Sequence, residues 1–293
     1  MSAVMRGAGW CMRFGAAALL ALAMPAAQAG KGQTLAPQRI ISLLPSATET
    51  ICALGACDRL VGVDEFSLDP PQVRNLPQLG KTWQPDVERI VALKPDLVLV
   101  GQVAGVIARL QAARIPYLVA DATTVEQVHA VMLKMDAALK TGRAAAVWQQ
   151  MQARVDAVAA AVKVSNAGAE PRVYLEVDAA MYAAGPRSFM GQLLARLGVS
   201  NIAPETGNQF MRLSPEYVLR ADPDLIILAH HGSSPRKIED RPGWQHMRAM
   251  QPDQRERRVC QLTEDESRTV TRPGPRLDEA VAIFAACLQR LHS

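Results

Sequence analysis

Glu88 and Glu216 stand at matching places in two similar stretches, PDVERIVALKPDLVLV (85–100) and SPEYVLRADPDLIIL (214–228). In the same register Pro95 falls on Pro223, Asp96 on Asp224 and Leu97 on Leu225. Asp86 and Ser214 suit helix N-caps, which puts each glutamate at the second helical position, with Pro215 at the first. A carboxylate there complements the helix dipole, and that is one sufficient reading. The other is that two quasi-equivalent lobes each present one carboxylate to the arginines of a two-fold symmetric partner. The spacing alone permits both.

Other reactive groups are sparse. No GxGxxG after a strand, P-loop, GxSxG or HExxH occurs. His230 and His231 close the apolar run DLIILAHH and read either as neutral strand-end residues or as an axial ligand for a metal inside a bound chelate. His129 and His292 are expected on the surface. A cage for a bare metal ion needs several ligands from both halves, and the first half offers only His129, so no directly held metal is expected. The rival from another class is an exported α/β hydrolytic enzyme using His230, Asp265 or Glu266, and Ser267. Aromatics make up only 4% of the chain, yet Phe66, Trp83, Tyr182 and Phe210 all fall in loops at strand or helix ends, with Trp244 in RPGW as a fifth. Split between the two halves, they suit a large flat or ring-shaped ligand held by apolar faces.

The elements that must position these residues alternate. RIISLL (39–44), RLVGV (59–63), DLVLVG (96–101) and PYLVAD (116–121) read as buried parallel strands, with helices between them. Ser46 and Glu49 have capping-box spacing at the head of SATETICALGA. The second half repeats the order with RVYLEV, SFMGQLLARLG, the Ser214 helix, DLIILAHH, RVCQL and DEAVAIFAACLQRL. Between them Val147, Met151, Val155, Val158 and Val162 mark one face of a long helix over about 141–162. The expected fold is therefore α/β, two lobes with mostly parallel sheets joined by one long helix. The lobes span 30–123 and 166–293, around a helical segment 124–165. Strand ends in such sheets face a crevice.

Ahead of these lies a secretory leader, 1–29. Arg6 and Arg13 flank its basic start, FGAAALLALAMPAA is too short to span a membrane, and Ala27-Gln28-Ala29 is a cleavage site. Two of the charges behind the net +4 sit in that leader and no Lys/Arg run follows, so nucleic acid is not an expected partner. Export into an oxidising compartment favours disulfides among Cys52, Cys57, Cys260 and Cys287. Pairing Cys52 with Cys57 and Cys260 with Cys287 keeps each bridge within one half; buried free thiols are the alternative.

RIISLLPSATETICALGACDRLVGVDEFSLDPP, LPQLGKTWQPDVERIVALKPDLVLV, LSPEYVLRADPDLIIL and RPGPRLDEA together resemble the cobalamin-binding periplasmic proteins of ABC importers. These belong to a wider family that also carries haem and ferric siderophores. The resemblance covers nearly all of the chain after the leader. It implies a class III periplasmic binding protein fold with little hinge motion, a periplasmic location, no catalysis, and a corrinoid-like ligand between the lobes, with haem or a ferric siderophore as alternatives. It implies a monomer that docks Glu88 and Glu216 on the two subunits of an ABC permease. It also matches Phe66, Trp83 and Phe210 to cleft aromatics. Phe66 and Phe210 stand where a relative has tyrosine and tryptophan, keeping the apolar face and losing the polar tips. Haem-binding relatives use a tyrosine near Phe66; here only His230 or His231 would substitute. A disulfide of the relative is not matched, because Leu197 stands where the partner of Cys287 would be.

Overall fold

A computed structural model describes residues 35–165, 170–230 and 238–292. The expected leader and His231 lie outside the described residues. The chain first forms β1 (Ile40–Ser42), α1 (Pro45–Ala53), β2 (Leu60–Val63), β3 (Gly80–Lys81), β4 (Gln84–Pro85), α2 (Val87–Ala92), β5 (Leu97–Val100), α3 (Ala104–Ala112) and β6 (Tyr117–Val119). Four of these strands make a parallel sheet in the order β2-β1-β5-β6, and β3 pairs with β4 in a small hairpin. Successive strand residues point to opposite faces, and both faces are covered. Ile40, Leu97 and Leu99 enter one core with α1, while Ile41, Val98 and Val100 enter the other with Ile90 of α2.

Two helices follow, α4 (Val125–Leu139) and α5 (Ala144–Ser165). The second lobe comprises β7 (Arg172–Asp178), β8 (Tyr182–Ala184), α6 (Phe189–Arg196), β9 (Ser200–Asn201), β10 (Phe210–Arg212), α7 (Pro215–Ala221) and β11 (Leu225–Leu228). It closes with α8 (Arg255–Arg258), β12 (Val259–Gln261), α9 (Glu264–Val270) and α10 (Leu277–Gln289). Its six-stranded sheet runs β10-β8-β7-β11-β12, with β9 on β7; β7, β9, β11 and β12 are parallel, and β8 and β10 are antiparallel.

The fold is thus the two-lobed α/β arrangement expected, with two local differences, at Ser46 and at His129. The capping box at Ser46 does not form. The helix opens two residues earlier, with Leu44 as N-cap and Pro45, which needs no N–H there, as its first residue, and Glu49 turns inward instead. A capping box does form at α9, where Thr263 and Glu266 bond reciprocally. The long helix expected over about 141–162 forms as α5, and α4 precedes it, with Lys140 and Gly142 at positive φ between the two. Val128 of α4 packs in a second-lobe core while Met132, Met135 and Leu139 pack in a first-lobe core. Ala144 of α5 joins the first-lobe core and Met151, Val155, Ala159 and Val162 the other. His129, expected on the surface, is half-buried and stacked on Trp148 at 4.3 Å, tying α4 to α5. A linker buried in both cores resists hinging. Both disulfides form within their halves, Cys52–Cys57 and Cys260–Cys287. Among the described residues no helix is long and apolar enough to cross a membrane.

Candidate functional site

In the first lobe the chain leaves β2 at Asp64, which is completely buried. Its carboxylate accepts hydrogen bonds from the Phe66 N–H at 3.3 Å, from the Thr82 hydroxyl at 3.1 Å and from Ser67. One carboxylate therefore anchors both the loop that carries Phe66 and the β3–β4 hairpin that carries Trp83. Gly80 lets that hairpin turn at φ +86°, where an added Cβ would meet the Gln84 carbonyl at 3.1 Å. The result is a stacked pair: the Phe66 and Trp83 rings lie 5.7 Å apart at 23°, 38% and 58% exposed. Burial pushes the Asp64 carboxyl above the usual range, against the opposing effect of its hydrogen bonds.

The second lobe presents its aromatics from strands, not loops. Tyr182 lies on β8 opposite Arg212, and Phe210 lies on β10 opposite Ala184, so the two rings share one face as diagonal neighbours. Both are exposed. Close behind, Glu176 of β7 is completely buried. It accepts two bonds from the Arg241 fork, at 2.6 and 2.7 Å, one from the Tyr174 hydroxyl at 2.8 Å, and pairs with His230 Nε2 at 2.8 Å. Burial works to raise its pKa, but the hydrogen bonds from His230 and Arg241 and the Arg241 charge outweigh it and hold the carboxyl below the usual range.

This network bears on two of the expected residues. His230 is a partner of Glu176: its Nε2 is engaged, and its Nδ1 is buried without a hydrogen-bond partner among the described residues. Trp244 is fully buried, so it has no face for a ligand. It packs edge-on to Tyr174, carries the Arg241 guanidinium over its ring at 4.5 Å, and donates its Nε1–H to the Pro215 carbonyl at 3.3 Å. Among the described residues the exposed large aromatics are Phe66, Trp83, Tyr182 and Phe210.

The rims of the two lobes meet. Arg272, beyond α9 in the second lobe, donates to the Phe66 carbonyl at 2.7 Å and to Glu49 at 2.7 Å, and Arg276 makes two further bonds to Glu49. The loop after β2 and Glu49 of α1 therefore meet the segment between α9 and α10. Sequence reasoning assigned no role to Asp64, Glu176, Arg241, Arg272 or Arg276, and only a capping role to Glu49. The arginines of RPGPR were visible as a pair, but only the fold brings them onto Glu49. Among the described residues the cavities of about 450 and 550 Å³ are not lined by any of the exposed aromatics.

Away from this rim, Glu88 and Glu216 are both exposed at the second positions of α2 and α7. Asp86 accepts from the Arg89 N–H and Ser214 from the Tyr217 N–H, so both N-caps are satisfied alike. The Glu216 carboxyl sits below its usual range, first because of the backbone N–H at its own helix start and then the Ser214 hydroxyl. The matched acids downstream have matched uses: Asp96 accepts from the Gln38 and Arg39 N–H groups at the head of β1, and Asp224 from Arg172 N–H at the head of β7.

A sequence profile described as Periplasmic binding protein matches residues 40–261. The chain belongs to the periplasmic binding protein family. Members of this family are substrate-binding proteins of transporters, not enzymes. It is similar to an uncharacterized ABC transporter substrate-binding lipoprotein of Bacillus subtilis, 30% identical over 259 residues, 85% of this chain and 79% of that one. It is also similar to the vitamin B12-binding protein of Pectobacterium carotovorum, 31% identical over 251 residues, 82% of this chain and 84% of that one. Among solved structures, a periplasmic heme binding protein from Pseudomonas aeruginosa is 26% identical with a TM-score of 0.69, covering 86% of this chain and 92% of that one. Asp265 pairs with Arg268, Glu266 caps its own helix, and the buried Ser267 hydroxyl has no hydrogen-bond partner among the described residues.

Proposed function

We propose that this periplasmic binding protein captures a corrinoid, a cobalamin or a close relative of one, between its lobes and delivers it to an ABC permease in the inner membrane. Residues 30–123 and 166–293 act as the two lobes around 124–165, after removal of the leader 1–29 in the periplasm. Phe66, Trp83, Tyr182 and Phe210 supply the ligand faces, and a monomer docks Glu88 and Glu216 on arginines of the two permease subunits. The observation that carries the reading is the exposure of these four rings, from both lobes, in a chain poor in aromatics. An exposed apolar face of this kind is costly unless something covers it, and a broad macrocycle matches its chemistry. The vitamin B12-binding relative, aligned over most of both chains, supports the same choice.

A haem or a ferric siderophore on the same scaffold is the second reading, favoured by the heme-binding relative. The engagement of His230 by Glu176 weighs against an imidazole-ligated haem. Leader-free protein titrated with cyanocobalamin, haemin and a ferric hydroxamate, followed by tryptophan quenching and calorimetry, separates the readings. One-to-one saturation by cyanocobalamin is the expected result. Saturable binding of haemin or the hydroxamate with none of the corrinoid overturns it.

A further inference from the structure

We propose that Arg272 is a positioning residue for ligand binding, fixing the pose of Phe66 from the opposite lobe. The inference rests on the reading that Phe66 and Trp83 face the ligand. Arg272 has a nearly buried side chain, 10% exposed, and spends its planar fork on three acceptors. One terminal nitrogen donates to the Phe66 carbonyl at 2.7 Å. The other donates to Glu49 at 2.7 Å and Asp69 at 3.2 Å. Glu49 and Asp69 belong to the first lobe, and Arg268, Arg272 and Arg276 to the second, so the seam is a cluster of facing opposite charges. Beside it opens the cavity of about 450 Å³, lined from both lobes by Cys52, Pro70, Pro71 and Pro275. At this point ion pairs, rather than packed apolar surface, hold the lobes together.

The geometry of Phe66 gives this seam its consequence for binding. The peptide N–H of Phe66 is held by Asp64 of its own lobe, and its carbonyl by Arg272 of the other. The peptide units on either side of the ring are thus fixed from different lobes. Any separation of the lobes must break the Arg272 bond or draw Phe66 off Trp83. Lobe spacing and ring pose are coupled, and Arg272 pre-organises an apolar face that it does not itself form.

Arg272→Lys and Glu49→Gln separate pose from stability. A lysine is a point donor and cannot span the carbonyl and the carboxylates together. In Arg272→Lys, Glu49 keeps Arg276, and Asp69 keeps Arg268 and Arg276, so the unfolding midpoint stays near that of the unmodified protein. Its cyanocobalamin Kd should weaken about tenfold. Trp83, 58% exposed, should become more accessible to acrylamide quenching in the ligand-free protein. Glu49→Gln should do the reverse, with a lowered midpoint and a Kd within about threefold, because the Phe66 carbonyl bond survives. The inference is overturned if Arg272→Lys keeps both the original Kd and the original quenching. It is equally overturned if Glu49→Gln weakens binding as much, or if Arg272→Lys does not fold. Should the unmodified protein fail to bind cyanocobalamin, the corrinoid reading falls, and the ligand-free quenching alone decides for or against Arg272.

Discussion

Asp64 and Glu176 hold comparable stations in the two lobes. Each lies toward the end of a strand, each is completely buried, and each backs a pair of exposed aromatics. Their surroundings differ in kind. Asp64 is met by hydroxyls and one peptide N–H, and its pKa is raised; Glu176 is met by a guanidinium, a phenol and an imidazole, and its pKa is lowered. The first lobe therefore carries its rings on a loop and a two-strand hairpin tethered by neutral donors, with a cationic tether to the Phe66 carbonyl coming from across the seam. The second carries them on a sheet edge backed by a charged network. The lesson is that one half of the rim is set by hydrogen bonds that must be kept, and the other by a frame that cannot easily move.

The hardest blow to this comparison is Arg241→Ala. It leaves Glu176 buried with its charge largely unopposed, and should cost about 3–5 kcal/mol, read from chemical denaturation. Asp64→Asn keeps a hydrogen-bond acceptor and sheds an ionisation that burial already disfavours, so its cost at neutral pH should be about 1 kcal/mol. Equal costs for the two would erase the distinction between the lobes.

Acid titration sharpens the contrast, because the two carboxyls act with opposite sign. A lowered folded pKa gives Glu176 a contribution that is present above the unfolded value of about 4.3 and is lost as pH falls through the folded value. A raised one gives Asp64 a contribution present below about 3.9 and lost as pH rises through its folded value. The destabilisation caused by Glu176→Gln should therefore shrink between pH 6 and pH 3, and that caused by Asp64→Asn should grow. Urea midpoints of both variants across this range check the signs. Parallel behaviour would mean that Asp64 is not strained by burial.

Smaller effects are expected from the rings themselves. Trp83→Ala and Tyr182→Ala should each weaken corrinoid binding by about 0.5–1.5 kcal/mol while leaving stability within about 0.5 kcal/mol. Phe66 and Trp83 are stacked, so their double variant should lose less than the sum of the singles. A pair drawn from different lobes, such as Trp83 and Tyr182, should add. Calorimetry on the two cycles distinguishes a coupled rim from an uncoupled one.

Much of this was legible in the chain, and what was not has a common cause. The strands RIISLL and DLIIL announce themselves because burial on both faces demands unbroken apolar residues. The duplicated Asp86 and Ser214 caps are local hydrogen bonds, readable from spacing. Tyr182 and Phe210 were expected in loops but lie on strands, since strands of three residues carry too little pattern to mark a period. Glu49 was misread as a capping residue because its true partners, Arg272 and Arg276, lie more than two hundred positions away in sequence. Trp244 counted as a rim aromatic because only the fold brings Tyr174 against it and the nearby Arg241 over its ring. Long-range polar pairing leaves no periodic trace.

The two lobes also bear the feature on which they are most alike, and reversing it should disturb the isolated protein least. Glu88 and Glu216 are exposed, and neither makes a salt bridge among the described residues. Beside Glu216, the Pro215 carbonyl accepts the bond from the buried Trp244. Glu88→Lys with Glu216→Lys should therefore leave the unfolding midpoint and the corrinoid Kd almost unchanged. Charge reversal places lysines where arginines of a permease would meet carboxylates, so uptake in reconstituted vesicles should fall sharply, and each single variant should lose part of it. Because a two-fold gate would be engaged by both lobes, the single losses should be similar. Unchanged transport by the double variant would return both glutamates to their simpler use, as acids complementing the starts of two short helices.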